Sequence, residues 1–168
     1  MATWTAENVE KGAKQSKVVA DGLYRTQIVQ YAGASGDFNP LHTDEVFTTK
    51  IAGYPSVFAH GMLTMGLTGT LLTDALGNGT LRTFGVRFRS QVWPGDSLTA
   101  TATVTDVTRG QSETLVALDV QTTNQKGEVV VSGSATAALP NLCWRQPGPY
   151  RAGPLRRRDS AGPHPSSA

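Results

Sequence analysis

The sequence of 168 residues contains a single cysteine, Cys143, and no apolar run long enough to cross a membrane. One cysteine cannot form a disulfide within the chain or supply the several thiolates of a multi-cysteine zinc site. A membrane-spanning helix needs roughly 18 or more consecutive apolar residues, and no segment reaches that length. The N-terminal segment also lacks the apolar stretch of a secretory signal. These absences favour a cytoplasmic protein, and a length of 168 residues suits a single domain.

Net charge is also small, at +2, and it is unevenly distributed along the chain. Residues 139–168 contain five arginines and one aspartate, so this segment carries a formal charge of +4 and residues 1–138 carry −2. A mildly acidic main segment provides no basic face for nucleic acid. The same C-terminal segment contains six of the nine prolines, which predicts a tail with nothing to bury. We therefore expect a domain at residues 1–138 and a disordered tail at 139–168.

Helical periodicity dominates the first half of the chain. Apolar residues at helical spacing predict a helix over residues 24–34, ended by Gly36, and a shorter helix over 43–50. The longest predicted helix covers residues 59–76 and is apolar around most of its circumference, which is typical of a buried helix. Three glycines lower its intrinsic helicity, and we expect the close approach of another backbone to offset that cost. These glycines are Gly61, Gly66 and Gly69.

The second half of the chain alternates between apolar and polar residues, which is the period of a half-buried β-strand. Four such segments begin near Phe84, Leu98, Val116 and Val129. Short connections rich in turn residues separate them, so antiparallel hairpins are expected. A further short strand is predicted at residues 17–20. A buried helix followed by an antiparallel meander predicts an α+β fold in which the sheet wraps around the helix.

Three polar side chains capable of chemistry lie within six positions, namely Asp37, Asn39 and His42. A carboxylate and an imidazole that converge can hold one water molecule, with one group accepting a proton and the other delivering one. Histidine suits this role because its pKa lies near neutrality. The two side chains converge only if the chain folds back at Asn39-Pro40. The alternative is purely structural, because the same residues also form a common helix stop and turn.

The wider pattern is more specific than these residues alone. Tyr-x-x-x-Ser-Gly-Asp-x-Asn-Pro-x-His spans residues 31–42, and Ala-His-Gly-Met follows at residues 59–62. Together they resemble the active-site segment of the MaoC-like or R-specific enoyl-CoA hydratase family, which includes (3R)-hydroxyacyl dehydratase subunits. The resemblance covers roughly residues 20–138 and implies a hot-dog fold. It further implies that Asp37 and His42 are the catalytic pair and that Asn39 orients or polarises them.

By the same resemblance, the backbone N–H of Gly61 binds the thioester carbonyl oxygen. That role also has a physical basis, because the N–H groups in the first turn of a helix lack partners and lie at the positive end of its dipole. His60 is expected to brace the start of the helix rather than to take part in catalysis. Some relatives carry a serine where this chain has Gly69. Three arginines are candidates for contact with coenzyme A phosphates or are simply outward-facing strand residues: Arg82, Arg87 and Arg89.

The predicted function is therefore (R)-specific hydration of 2-enoyl thioesters, or the reverse dehydration of (3R)-3-hydroxyacyl thioesters. No metal or separate cofactor is expected, and coenzyme A or acyl carrier protein enters as part of the substrate. Which of Asp37 and His42 is the acid stays open. One alternative is a hot-dog thioesterase, disfavoured because the only acidic residue of the long helix, Asp74, lies at its far end. Another is a subunit of a heterodimeric dehydratase. The expected assembly is a homodimer or a heterodimer with a related subunit, without nucleic acid or membrane partners.

Overall fold

The computed structural model describes residues 3–141, which form one antiparallel sheet with helices packed against it. Most predicted elements are present, with shifted boundaries. The predicted helix over 43–50 is for the most part a π-helical turn at Phe47–Ile51, and a separate four-residue helix ends where the prediction begins, at Thr43. The helices are α1 (Arg25–Ser35), α2 (Pro40–Thr43) and α3 (Gly61–Leu76). The strands are β1 (Lys14–Ala20), β2 (Leu81–Phe88), β3 (Leu98–Arg109), β4 (Glu113–Asn124) and β5 (Val129–Pro140).

The strand order in the sheet is β1-β3-β4-β5-β2, with every neighbouring pair antiparallel. The meander of β3, β4 and β5 was predicted from the sequence. A hairpin between β2 and β3 was also expected, and that prediction is wrong because β2 pairs with β5. The chain does turn between β2 and β3, at residues 93–96, where Trp93 N–H donates to the Asp96 carboxylate at 2.8 Å. Turn residues thus indicate where the chain turns but do not specify which strand the next segment pairs with.

Helix α3 lies against the sheet and forms the centre of the main hydrophobic core. Its C-terminal half buries Leu71, Leu72 and Ala75 completely. The opposing sheet positions include Ala100, Ala102 and Ala135, whose small side chains let the helix approach the strands. Full burial of each leucine contributes about 1.5–3 kcal/mol relative to exposure. The observed architecture is a hot-dog fold, as the sequence predicted.

One face of α3 is open in the single chain, which differs from the expected complete burial. Met62 is 56% exposed, and Gly66 and Thr70 are exposed as well. The predicted close approach of a backbone to the helix glycines is also wrong. Gly61 and Gly69 face aromatic rings, and nothing within 4 Å would contact a Cβ on Gly66. Hydrophobicity around the whole helix therefore reflects more than packing within one chain.

The N-terminal segment packs into the core, and the C-terminal end of the sheet passes the predicted domain boundary. The irregular segment before β1 buries Trp4 and Val9, and Trp4 N–H donates to Ala75 O at 2.7 Å. At the other end, β5 includes the buried residue Leu139, so the sheet continues two residues past the predicted limit at 138. The rest of the predicted tail, residues 142–168, lies outside the described residues. Among the helices of residues 3–141, none combines the length and hydrophobicity that a membrane span requires.

Candidate active site

A tight turn between α1 and α2 places Asp37 and Asn39. Gly36 ends α1 with a positive φ of 74°, a left-handed conformation that glycine adopts without steric cost. Asn39 then caps α2, since its Oδ1 accepts a hydrogen bond from Leu41 N–H at 3.0 Å. The backbone N–H of Asn39 donates to Asp37 Oδ1 at 3.2 Å. Asn39 therefore holds the carboxylate of Asp37 through its main chain and builds the turn through its side chain.

His42 lies in α2 and is half-buried. Its Nδ1 is 2.7 Å from the carbonyl oxygen of Phe58, and because a carbonyl only accepts, Nδ1 carries the proton. In the neutral ring Nε2 then carries the lone pair. Burial lowers the pKa of His42 from its ordinary value, and the neighbouring His60 acts in the same direction, whereas the Phe58 hydrogen bond and Asp37 oppose the shift. The geometry thus favours a neutral imidazole whose Nε2 can accept a proton.

His60 precedes α3 and is 2% exposed. Its Nε2 lies 2.9 Å from the main-chain oxygen of Asp37, so this nitrogen donates and joins the start of α3 to the turn after α1. Its Nδ1 has no hydrogen-bond partner within residues 3–141. The ring stacks on His42, with centroids 3.9 Å apart, and lies 5.0 Å from the ring of Tyr31. These contacts join the start of α3 to α1, α2 and the turn between them.

The structure brings Asp37, His42 and His60 together. One ligand atom of each lies within 4.8 Å of the others, and Asp37 Oδ2 is 4.0 Å from His60 Nε2. Such a set has the composition of a metal site. However, the two imidazoles stack with an interplanar angle of 34°, and His42 Nδ1 and His60 Nε2 already face main-chain oxygens. Stacked rings do not direct two lone pairs at one ion, so the arrangement suits proton transfer better than coordination.

Gly61 is the first residue of α3 and lines two neighbouring cavities, of about 250 and 280 Å³. Phe88 is the only other residue common to both linings. A Cβ at Gly61 would lie 2.9 Å from a carbon of the Phe88 ring, so the ring rests directly on this glycine. The smaller cavity is mainly apolar and includes Phe58, Val92, Val130 and Val131. The larger one includes Asp37, His60, Tyr31 and Met62.

Other predicted site residues lie elsewhere. Asp74 pairs with Lys17 at 2.6 Å, away from the cavities. Arg82 pairs with Glu113 at 3.4 Å, at the opposite end of β2 from Phe88. Arg89, in contrast, lines the same cavity as Gly61. Gly69 faces the ring of Phe84 at 3.7 Å.

Glu45 connects the segments around the site, a role that the sequence analysis missed. Its carboxylate accepts from Arg25 at 2.8 Å, from Ser56 at 3.4 Å and from the backbone N–H of Val57 at 3.3 Å. The hydrogen bond from Arg25 is the main reason that the pKa of Glu45 is lowered. Val57 immediately precedes Phe58, whose carbonyl holds His42. No residue-type pattern marks these contacts, because they join residues distant in sequence and one of the three is made by a backbone N–H.

Comparisons with known proteins show which family the chain is similar to. A family model described as a MaoC-like domain matches residues 6–126, which include all of the site residues up to Gly61. The (R)-specific enoyl-CoA hydratase of Rhodospirillum rubrum is 33% identical over 142 residues, covering 80% of this chain and 90% of the relative. The 3-hydroxyacyl-thioester dehydratase Y of Mycobacterium tuberculosis is 38% identical over 86 residues, covering 49% of this chain and only 30% of that longer protein.

A solved structure extends the match to the fold. The unliganded R-hydratase PhaJ1 of Pseudomonas aeruginosa superimposes with a TM-score of 0.72 and is 26% identical in sequence. The superposition covers 82% of this chain and 86% of that structure. The fold and the sequence therefore both indicate similarity to R-specific hydratases.

Proposed function

Because this chain belongs to the MaoC-like domain family, and the relatives described above are hydro-lyases, we propose that it interconverts 2-enoyl thioesters and (3R)-3-hydroxyacyl thioesters by adding or removing water. The observation that carries the proposal is the convergence of Asp37 and His42 beside the N-terminus of α3. That arrangement supplies a proton acceptor, a carboxylate that can orient a water molecule, and a site for a developing oxyanion within one small space.

In hydration, His42 Nε2 accepts a proton from the water molecule while the Asp37 carboxylate orients that water. The water oxygen forms a bond to C3, and the electron pair of the C2–C3 double bond moves toward the thioester oxygen. The backbone N–H of Gly61 stabilises the resulting enolate, since N–H groups of a first helical turn are unpaired. C2 then takes a proton from the imidazolium. The lowered pKa of His42 supports its role as the acceptor.

His60 acts as a positioning residue in this scheme. It is buried, and its hydrogen bond to the main-chain oxygen of Asp37 sets the distance between the turn and α3. Asn39 has a similar role through its backbone contact with the Asp37 carboxylate. Neither side chain is required to transfer a proton. No separate cofactor takes part in the scheme, and the thioester carrier belongs to the substrate.

The thioesterase alternative is less well supported. Attack of water on the thioester carbon needs a base beside that carbon. The only acidic residue of α3, Asp74, lies in its last turn and is paired with Lys17. A role as one subunit of a heterodimeric dehydratase is compatible with the open face of α3. The intact Asp37–His42 pair would make this chain the catalytic member.

An assay of enoyl-CoA hydration tests the proposal. Purified full-length chain is incubated with crotonyl-CoA and with a longer 2-enoyl-CoA, and the loss of enoyl absorbance is followed. We expect hydration by the chain alone, with the 3R product identified by chiral chromatography. Release of free thiol without loss of the double bond would favour the thioesterase. Activity only after addition of a related subunit would favour the heterodimer. A cytoplasmic location remains a prediction from the sequence.

A further inference from the structure

Arg87 and Arg89, at the C-terminal end of β2, flank a groove on the β2–β5 surface. The groove encloses about 520 Å³ and is further lined by Ser132, Ser134, Gly85 and Gly133. Arg89 also lines the 250 Å³ cavity that contains Gly61. The groove and the cavity therefore meet at this side chain.

The charge of the groove is not neutralised within the described chain. Arg89 Nε donates to Ser132 Oγ at 2.8 Å, which positions the guanidinium and leaves its terminal N–H groups for another acceptor. Arg87 is exposed and has no hydrogen-bond or ion-pair partner within residues 3–141. None of the residues that line the groove is acidic. By contrast, Arg82 on the same strand is paired with Glu113.

Two glycines, Gly85 and Gly133, leave part of the groove floor without side chains. Gly85 and Ser134 are opposite each other in the β2–β5 register, and a Cβ at Gly85 would meet nothing within 4 Å. Gly133 has no room for a side chain, since a Cβ there would lie 2.1 Å from Gly85 O. Around the two glycines, the groove is lined by two serines, two arginines and Val86. Such a groove admits a bulky tetrahedral anion and offers it both neutral and charged donors.

We propose that this groove binds the phosphate groups of the thioester carrier, with Arg87 and Arg89 as the main ligands. The inference rests on the proposed function, because that function places the thioester carbonyl at Gly61 N–H. The pantetheine arm then extends through the cavity past Arg89, which brings the phosphate end of the carrier to the groove. A guanidinium is suited to this task, since its planar N–H pairs match two phosphate oxygens at once. Coenzyme A and the prosthetic arm of acyl carrier protein both carry phosphate, so either carrier is compatible.

The test compares thioesters that differ only in the carrier. Crotonyl-CoA, crotonyl-acyl carrier protein and crotonyl-pantetheine, which has no phosphate, are assayed with the unsubstituted chain and with the double variant R87Q/R89Q. The variant R82Q removes an arginine from the same strand and serves as the matched control. In the double variant we expect kcat/KM for a phosphate-bearing substrate to fall about 10- to 100-fold, mainly through KM. The value for crotonyl-pantetheine should stay within about threefold, as should all values for R82Q.

The substrate that loses most identifies the carrier. A larger loss with crotonyl-CoA indicates coenzyme A, and a larger loss with the protein-bound thioester indicates acyl carrier protein. Equal losses of kcat/KM on all three substrates would contradict phosphate binding in the groove. So would an unchanged kcat/KM on both phosphate-bearing substrates. Calorimetric titration of coenzyme A into the same proteins separates this inference from the proposed function. If the chain has no hydratase activity but binds coenzyme A in a way that depends on Arg87 and Arg89, the proposed function is contradicted and the phosphate-binding groove is supported.

Discussion

One main-chain contact determines which ring nitrogen of His42 is the donor and which is the acceptor. Phe58 O takes the Nδ1 proton, so Nε2 is the nitrogen that can react. The residue pattern identified His42 as a candidate and Asp37 as its partner. It could not identify Phe58, because a backbone carbonyl is present at every position and only the fold selects this one. The same holds for the Asp37 main-chain oxygen that receives His60.

The lowered pKa of His42 predicts a pH dependence of stability. The unfolded chain titrates this residue near 6.5, and the folded chain titrates it at a lower pH. Above pH 6.5 the imidazole is neutral in both states. Below it the unfolded state binds the proton first, so stability is lost as the pH falls through this range. When thermal unfolding is measured from pH 7.5 to 5.5, the Tm of the unsubstituted chain should fall further than the Tm of H42Q. Equal dependence of Tm on pH in the two proteins would contradict the pKa shift.

Replacement of Asp37 or His42 should reduce turnover far more than stability. D37N keeps the shape of the side chain and removes the charge, and H42Q removes the imidazole. Positioned acid–base groups contribute typically about 10²–10⁴-fold each, so we expect losses of that size in kcat. Because both groups act on one water, the losses should not multiply in the double variant.

The matched control for this pair is D119N, an exposed aspartate on β4 that should keep full turnover. Turnover and Tm are to be measured on the same preparations. Near-normal kcat in D37N or H42Q would show that the residue only shapes the turn. A large fall in Tm with retained activity per folded molecule would lead to the same conclusion.

At the scale of elements, the contact between α3 and β2 defines the shape of the site. The sequence predicted the helix and the strand but not their contact, since β2 was expected beside β3. Only the pairing of β2 with β5 brings Phe88 onto Gly61. The alternation of Phe84, Val86 and Phe88 reveals the inward face of the strand, but not the order of strands, which depends on long-range pairing.

A methyl group at Gly61 should therefore be costly, and the cost should depend on Phe88. In G61A the Cβ would lie 2.9 Å from the Phe88 ring, a contact closer than real Cβ atoms tolerate. We expect a loss of about 1–3 kcal/mol in the free energy of unfolding. In the F88A background the same change should cost much less, which a urea-unfolding double-mutant cycle would reveal. Additive losses would mean that the ring is not what restricts Gly61.

For the whole molecule, two edge strands and the open face of α3 predict self-association. Among the described residues, β1 and β2 each pair along only one edge, and unpaired edges favour pairing with another chain. Met62, Phe38 and Phe88 are exposed apolar residues near the site. We expect at least a dimer in sedimentation velocity at micromolar concentration. A monomer with full activity would contradict this.

The C-terminal segment should be dispensable for folding and turnover, provided that the sheet is left intact. Leu139 is buried, and the Asn141 side chain donates to Gly110 O and Gln111 O at 3.0 Å. A chain ending at Asn141 should therefore keep its Tm and kcat, whereas one ending at 138 should lose stability. A fall of several degrees in the longer truncation would show that residues 142–168 pack against the domain.

The position of β2 at the sheet edge also sets the order in which the site can form during protein synthesis. Arg89 and its partner Ser132 are 43 residues apart, so the ribosome completes β2 well before β5 exists. Until then β2 lacks the neighbouring strand that places Phe88 on Gly61, and Arg89 lacks its partner Ser132. Non-local strand pairing of this kind is slow and leaves a hydrophobic edge exposed in the meantime. Nascent chains arrested before Val129 should thus remain cleavable by protease within β2, even though the turn carrying Asp37 has long since emerged.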